Sequence, residues 1–91
     1  MNVADLLVVV AACNEEQVIG RVVAGLHAVA PNIVVVDDGS VDNTAECARA
    51  AGATVLRHCI NLGQGAALQT GLDYGLRHGF SVVLATAPEQ R

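Results

Sequence analysis

The chain of 91 residues is long enough for one small domain, and its composition, 53% hydrophobic and 15% charged, excludes a disordered polymer. A net charge of −4, without a basic stripe and with one Phe, one Tyr and no Trp, argues against nucleic-acid binding. The longest apolar run, Leu6 to Cys13, is too short for a transmembrane helix, which needs about 20 residues.

The first segment predicts a strand followed by a helix. Leu6 to Ala11 is a continuous apolar run, the pattern of a strand buried on both faces of a sheet. Asn14 is expected to cap the helix, with Gln17 three residues later as in a capping box. Apolar residues then recur at helical spacing, at Val18, Val22, Leu26 and Val29. Pro31-Asn32 is expected to end this helix.

A second strand and a second helix follow. Ile33 to Val36 predicts another buried strand, and it stops at the turn signal Asp37-Asp38-Gly39-Ser40. Ser40 or Asp42 is expected to cap a helix over about Thr44 to Ala51.

The last third repeats this alternation. Ala53 to Leu56 predicts a shorter strand, and the polar stretch Asn61 to Gly65 leads into a third helix. That helix is expected to reach about His78, where Gly79 stops it, and Phe80 to Ala85 predicts a fourth strand.

The order β-α-β-α-β-α-β predicts one α/β domain over residues 1–91, with a parallel sheet and right-handed crossovers. In such sheets ligands bind outside the carboxyl ends of the strands. Three polar segments fall at those ends, namely Ala11 to Glu16, Asp37 to Asp42 and Ala85 to Glu89. The sequence therefore predicts a binding site at this edge of the sheet.

Residue chemistry alone leaves two interpretations of the acidic residues open. Asp37 and Asp38 suit hydrogen bonds to ribose hydroxyls or base N–H groups, but they equally suit a tight turn. Glu15 suits a hydrogen bond to a nucleoside, but Glu is also favoured in the first turn of a helix by the helix dipole.

Gly63-Gln64-Gly65 resembles a glycine-rich phosphate loop. Leu68 stands at the third glycine position of a dinucleotide fingerprint, which disfavours an oxidoreductase domain, and the Gly-Lys-Ser/Thr of a P-loop is missing. The alternative is close packing by small residues, which Gly71 and Gly75 extend into a tight helix–sheet contact.

The histidines and cysteines show neither catalytic nor metal-ligating spacing, so no catalytic residue is predicted. The histidines are expected to be structural, at His27, His58 and His78. The odd number of cysteines favours reduced thiols and a cytoplasmic location, and they stand at Cys13, Cys47 and Cys59.

Three stretches in this order resemble the amino-terminal half of a family 2 (GT-A) glycosyltransferase of the dolichyl-phosphate-mannose synthase-like kind. They are Val8 to Glu16, Val34 to Thr44 and Asn61 to Gly71, and the resemblance covers about residues 5 to 84. It implies a Rossmann-like, nucleotide-binding half-domain whose ligand is a UDP- or GDP-linked sugar.

The resemblance also implies which residues meet the donor. The family contacts the nucleoside at the positions of Ala11, Cys13 and Glu15, and it holds the base and ribose at those of Asp37 and Asp38. The loop that borders the donor comprises Gly63, Gln64 and Gly65. Pro is usual at position 11 and Tyr at position 13, so this chain lacks an aromatic surface on which the base would stack.

A larger departure concerns the metal. After the fourth strand the family has an Asp-x-Asp motif, which binds Mg²⁺ or Mn²⁺ and clamps the donor pyrophosphate. Aligned from Gly79-Phe80, those positions hold Ala87 and Glu89, so we expect Glu89 alone to bind the metal poorly. The family's acceptor half and general base are not in these 91 residues.

We therefore expect a truncated donor-nucleotide half that is inactive alone. Two alternatives stay open, a non-catalytic nucleotide-binding or regulatory module and a frameshifted product without function. The fourth strand is expected to leave an apolar sheet edge, which invites self-association.

Overall fold

The computed structural model describes residues 3–86, which form a single sheet with helices on both faces. A 3-10 turn at Val3–Asp5 comes first. Strands and helices then alternate in the predicted order, with the bounds β1 Leu6–Ala12, α1 Ile19–His27, β2 Asn32–Asp38, α2 Thr44–Ala50, β3 Thr54–His58, α3 Gln64–Arg77 and β4 Ser81–Thr86.

The four strands are parallel and lie in the order β3-β2-β1-β4. In the two central strands, β1 and β2, every residue after the first is buried, as the continuous apolar runs predict. Ala12 pairs with Asp37, so the polar residues that follow both strands emerge at one edge of the sheet.

Alternate residues of the central strands supply two apolar cores. Val8, Val10 and Val35 face α1 and α2, where Ile19 and Val23 are fully buried against them. The opposite face packs against α3 through a second set, which comprises Leu7, Val9, Ala11, Val34, Val36 and Ala67.

Helix α3 lies unusually close to the sheet because two glycines face it. A Cβ atom built on Gly71 would lie 2.2 Å from Val9 Cγ1, and one on Gly75 would lie 2.4 Å from Val82 Cγ2. The predicted tight helix–sheet contact at Gly71 and Gly75 is therefore confirmed.

The predicted start of α1 is wrong. This helix begins at Ile19, after Val18 as N-cap and without a side-chain cap, while Asn14 lies in the loop before it. Val29, which the helical spacing placed on the apolar face, follows the end of α1 and is 70% exposed. The N-cap of α2 is Asn43 rather than the predicted Ser40 or Asp42, although Asp42, one position earlier, accepts the Thr44 N–H at 3.0 Å.

Candidate functional site

The loops after β1 and β2 are held together by Asn14. Its backbone N–H donates to Ser40 Oγ at 2.8 Å, and its side-chain Oδ1 accepts the Val41 N–H at 2.9 Å. Asn14 has φ +54°, a left-handed conformation that Asn tolerates better than most residues. The residue predicted as a helix cap thus joins two loops.

The next two residues continue this connection. Glu15 N–H donates to Thr44 Oγ1 at 2.8 Å, and Glu16 Oε1 accepts the Asn43 N–H at 2.9 Å. Glu16 N–H also donates to Asp42 Oδ2 at 3.3 Å. Burial alone would raise the pKa of Asp42, but hydrogen bonds from the Thr44 hydroxyl and N–H and from the Glu16 N–H outweigh it and lower that pKa.

Asp38 anchors the loop between β3 and α3. Its Oδ1 accepts the Leu62 N–H at 2.9 Å and contacts His58 Nδ1 at 2.8 Å, while its Oδ2 accepts the Gly63 N–H at 2.8 Å. Burial would raise the pKa of Asp38, but the Leu62, His58 and Gly63 donors together lower it below the ordinary value. The buried carboxylate is therefore ionised, and both of its oxygens accept hydrogen bonds from protein groups.

The parallel register pairs two carboxylates with two basic side chains, since Asp37 lies opposite Arg57 and Asp38 opposite His58. Asp37 is fully buried, and its Oδ1 accepts the Ser40 N–H at 3.1 Å while Oδ2 lies 3.4 Å from Arg57 Nε. Arg57 Nη2 also donates to Ser40 O at 3.1 Å. The Arg57 side chain is 46% exposed and that of Asp37 is fully buried, so the guanidinium lies at the surface and compensates a buried carboxylate.

A cavity of about 380 Å³ opens beside the ends of β2 and β3. Its walls combine a guanidinium group, an imidazole, a thiol and a hydroxyl, and its lining comprises Gly39, Ser40, Arg57, His58 and Cys59. Both nitrogens of the imidazole contact protein groups, so the half-exposed guanidinium of Arg57 is the group that suits a polar or anionic ligand. Arg57 was not predicted as a site residue, although two basic residues at the end of β3 match the two aspartates at the end of β2.

Most of the predicted site residues on β1 and β2 and in the loop after β1 are buried, and one is half-buried. Ala11, Glu15, Asp37 and Asp38 are buried at the base of the loops. Cys13 is half-buried, and its Sγ accepts the Asn61 amide at 3.3 Å.

The glycine loop supplies the most accessible predicted residues. Gly63 has φ +102° and is the N-cap of α3, which has no side-chain cap. Gln64 and Gly65 follow it and are exposed, and a Cβ atom on Gly65 would meet nothing within 4 Å. The N–H groups of this first helical turn are therefore open to a ligand.

The predicted metal positions, Ala87 and Glu89, lie outside the described residues. Within residues 3–86, no group of three or more His, Cys, Asp or Glu side chains is placed to hold a metal ion. None of the helices in this part of the chain is long and apolar enough to cross a membrane.

The chain is similar to longer curated proteins. An uncharacterized protein of Methanocaldococcus jannaschii is 42% identical over 85 residues, and the match covers 92% of this chain and 35% of the relative. The polyprenol monophosphomannose synthase of Mycolicibacterium smegmatis is 35% identical over 86 residues, which covers 86% of this chain and 32% of that protein. The chain thus spans about a third of the length of these relatives.

Solved structures resemble it over nearly its whole length. Glucosyl-3-phosphoglycerate synthase from Mycobacterium tuberculosis, solved with Mn²⁺, uridine-diphosphate-glucose and phosphoglyceric acid, has a TM-score of 0.74 and 29% identity, covering 91% of this chain and 33% of that one. The same enzyme solved with Mg²⁺ and uridine-diphosphate has a TM-score of 0.73. The model of glycosyl transferase family 2 matches residues 7–76, a range that includes the three loops described above. The chain belongs to glycosyl transferase family 2.

Proposed function

We propose that this chain is the donor-nucleotide half of a glycosyltransferase and that it binds a nucleotide-diphosphate sugar at the carboxyl ends of β1, β2 and β3. The observation that carries the proposal is the Asp38-anchored glycine loop, which holds an α3 N-terminus without a side-chain cap at the carboxyl end of β2. Helix N-termini favour phosphate groups because their free N–H groups and the helix dipole both attract negative charge.

The solved relatives support the ligand class. Glucosyl-3-phosphoglycerate synthase binds uridine-diphosphate and uridine-diphosphate-glucose on this fold. In our proposal the diphosphate lies at Gly63 to Gly65 and the base lies near Cys13 and the cavity at Arg57. Asp37 and Asp38 then act mainly by shaping the loops, since both carboxylates already bond to protein groups. GDP-linked donors are the alternative nucleotide.

Full sugar transfer requires more than the described site. The family's divalent metal does not fit the residues at hand, because Ala87 carries no ligand atom and Glu89 alone is one carboxylate where the pyrophosphate clamp needs more. No catalytic step is therefore derived through a metal. A nucleotide-binding module without transfer activity is the second candidate function, and Ala87 is the observation that favours it.

We also propose that residues 1–91 fold as one unit in a reducing, cytoplasmic setting and self-associate through β4. The three free thiols support the first part. Val83 and Leu84 support the second, because they are exposed on the outermost strand of the described sheet. Light scattering across a dilution series tests it, and a monomer at all concentrations contradicts the edge argument.

Calorimetric titration with UDP, GDP and UDP-glucose tests the binding proposal. The sharpest variant is Gly65→Leu, because its side chain enters open space at the first turn of α3 and leaves the packing intact. We expect at least tenfold weaker nucleotide binding. Gly25→Leu is the matched control, since Gly25 also lies in a helix with nothing within 4 Å of its Cβ position, but away from the site. Absence of binding by the folded wild type, or equal affinities for both variants, contradicts the proposal.

A further inference from the structure

A bridge of hydrogen bonds through His58 connects the end of β2 to the middle of α3. His58 Nδ1 lies 2.8 Å from Asp38 Oδ1, and His58 Nε2 lies 2.9 Å from Thr70 Oγ1. The Thr70 hydroxyl also donates to Ala66 O at 3.0 Å. The imidazole is only 11% exposed, so water competes little for either contact.

The two ring nitrogens have different partners. The ionised Asp38 carboxylate only accepts hydrogen bonds, so Nδ1 donates to it. The Thr70 hydroxyl lies within hydrogen-bond distance of both His58 Nε2 and Ala66 O, and a hydroxyl can donate as well as accept. The two ring nitrogens therefore contact two different segments, the end of β2 at Asp38 and helix α3 at Thr70.

The bridge acts on the glycine loop from both sides. Asp38 Oδ1, which contacts His58, also accepts the Leu62 N–H, and Oδ2 of the same carboxylate accepts the Gly63 N–H. Thr70 lies on α3 beyond its first turn, so its contact with His58 holds α3, the helix that begins directly after Gly63. The carboxylate and the helix therefore cannot shift independently.

We propose that His58 is a positioning residue for the donor site, holding the Leu62–Gly63 segment and α3 against the end of β2 through its two simultaneous contacts. This role rests on the proposed function, since it positions the first turn of α3, at Gln64 and Gly65, for a diphosphate. A loop held in its binding conformation before the ligand arrives avoids the entropy cost of ordering it.

Amide hydrogen exchange of the ligand-free protein tests the bridge, and nucleotide titration of the same variants tests its role. Thr70→Val removes the hydroxyl that contacts His58 with little change of shape, and Thr70→Ser restores it. His58→Asn keeps a donor near the position of Nδ1 but cannot reach Thr70. His78→Asn is the matched control, because His78 follows α3 as its C-cap and its imidazole contacts Tyr74, through the Tyr74 O and the ring, away from the glycine loop.

We expect Thr70→Val and His58→Asn to speed exchange at the Leu62 and Gly63 N–H groups by about fivefold to tenfold, the effect of losing one hydrogen bond. Amides of β1 and β2 should keep their protection, which a general loss of stability would not allow. Nucleotide affinity should fall by a similar factor, Thr70→Ser should restore both quantities to within about twofold, and the double variant should be no worse than either single one.

Unchanged exchange at Leu62 and Gly63 in Thr70→Val overturns the bridge. Faster exchange with unchanged affinity, in a wild type that binds nucleotide, overturns the positioning role alone. A wild type that binds no nucleotide overturns the proposed function and this role together, and the exchange data still report separately on the bridge.

Discussion

Replacing the carboxylate of Asp38 by an amide should destabilise the fold as well as the loop. Asp38→Asn keeps the shape of the side chain, but one of its two acceptor oxygens becomes an NH₂ group. If that group takes the place of Oδ2, it faces the Gly63 N–H, and if it takes the place of Oδ1, it faces the Leu62 N–H and His58 Nδ1. Neither orientation satisfies all three donors.

The size of the effect follows from these contacts. At least one hydrogen bond to a charged acceptor is lost, which costs about 1.5–3 kcal/mol, and the remaining bonds become neutral and weaker. We therefore expect Asp38→Asn to lower the free energy of unfolding by about 2–4 kcal/mol. For a domain of this size each kcal/mol lowers Tm by about 4–8 °C, so the decrease should be easy to measure.

Thermal and urea unfolding of Asp38→Asn and Asp73→Asn, each compared with wild type, provide the assay. Asp73 is a carboxylate on α3 whose Oδ1 accepts the Gln69 amide at 2.9 Å in an exposed contact, so the same substitution there should change stability by at most about 0.5 kcal/mol. Equal unfolding midpoints for the two variants would refute the anchoring role of Asp38.

Three further outcomes are expected. Folding lowers the pKa values of Asp38 and Asp42 below their ordinary value of 3.8, which contributes stability at pH values above 3.8. This stability is lost as the pH falls through the lowered pKa values of the folded protein, so the urea midpoint should decline in acid. The decline should be less steep in Asp38→Asn, which lacks one of the two carboxylates. Gly71→Ala should lower the free energy of unfolding by about 1–2 kcal/mol, because the clash with the stiff Val9 side chain exceeds the gain in helix propensity. Gly25→Ala should raise it in the same unfolding assay, because nothing lies within 4 Å of a Cβ atom there. Mn²⁺ should change nucleotide affinity in calorimetry by less than about threefold, and a tenfold enhancement would mean that a carboxylate of this chain does bind the metal.

The order of strands and helices could be predicted because the signals are local. Leu6 to Ala11 and Ile33 to Val36 are apolar at every position, which suits only strands covered on both faces, and both became central strands. Gly71 and Gly75 are one helical turn apart, so their shared face could be placed against the sheet before the contacts with Val9 and Val82 were known.

The roles of individual polar residues could not be predicted in the same way. Asn14 has the sequence context of a helix cap, yet its partners, Ser40 and Val41, lie in a loop that only the parallel pairing of β1 with β2 brings near. The pairing of Asp38 with His58 likewise depends on the register between β2 and β3, which spacing along the chain does not specify.

Much of the polar pattern that identifies the family bonds to the protein itself in this chain. The carboxylate of Asp38, the amide of Asn14 and the carboxylate of Asp42 each accept backbone N–H groups from neighbouring segments. Such residues hold the loops in place, while a ligand meets what they leave exposed, chiefly the α3 N-terminus at Gln64 and Gly65. Substitution at an exposed position such as Gln64 should therefore alter affinity while the fold persists. Substitution of the buried aspartates should alter both, because the same hydrogen bonds hold the loops in place and shape the site.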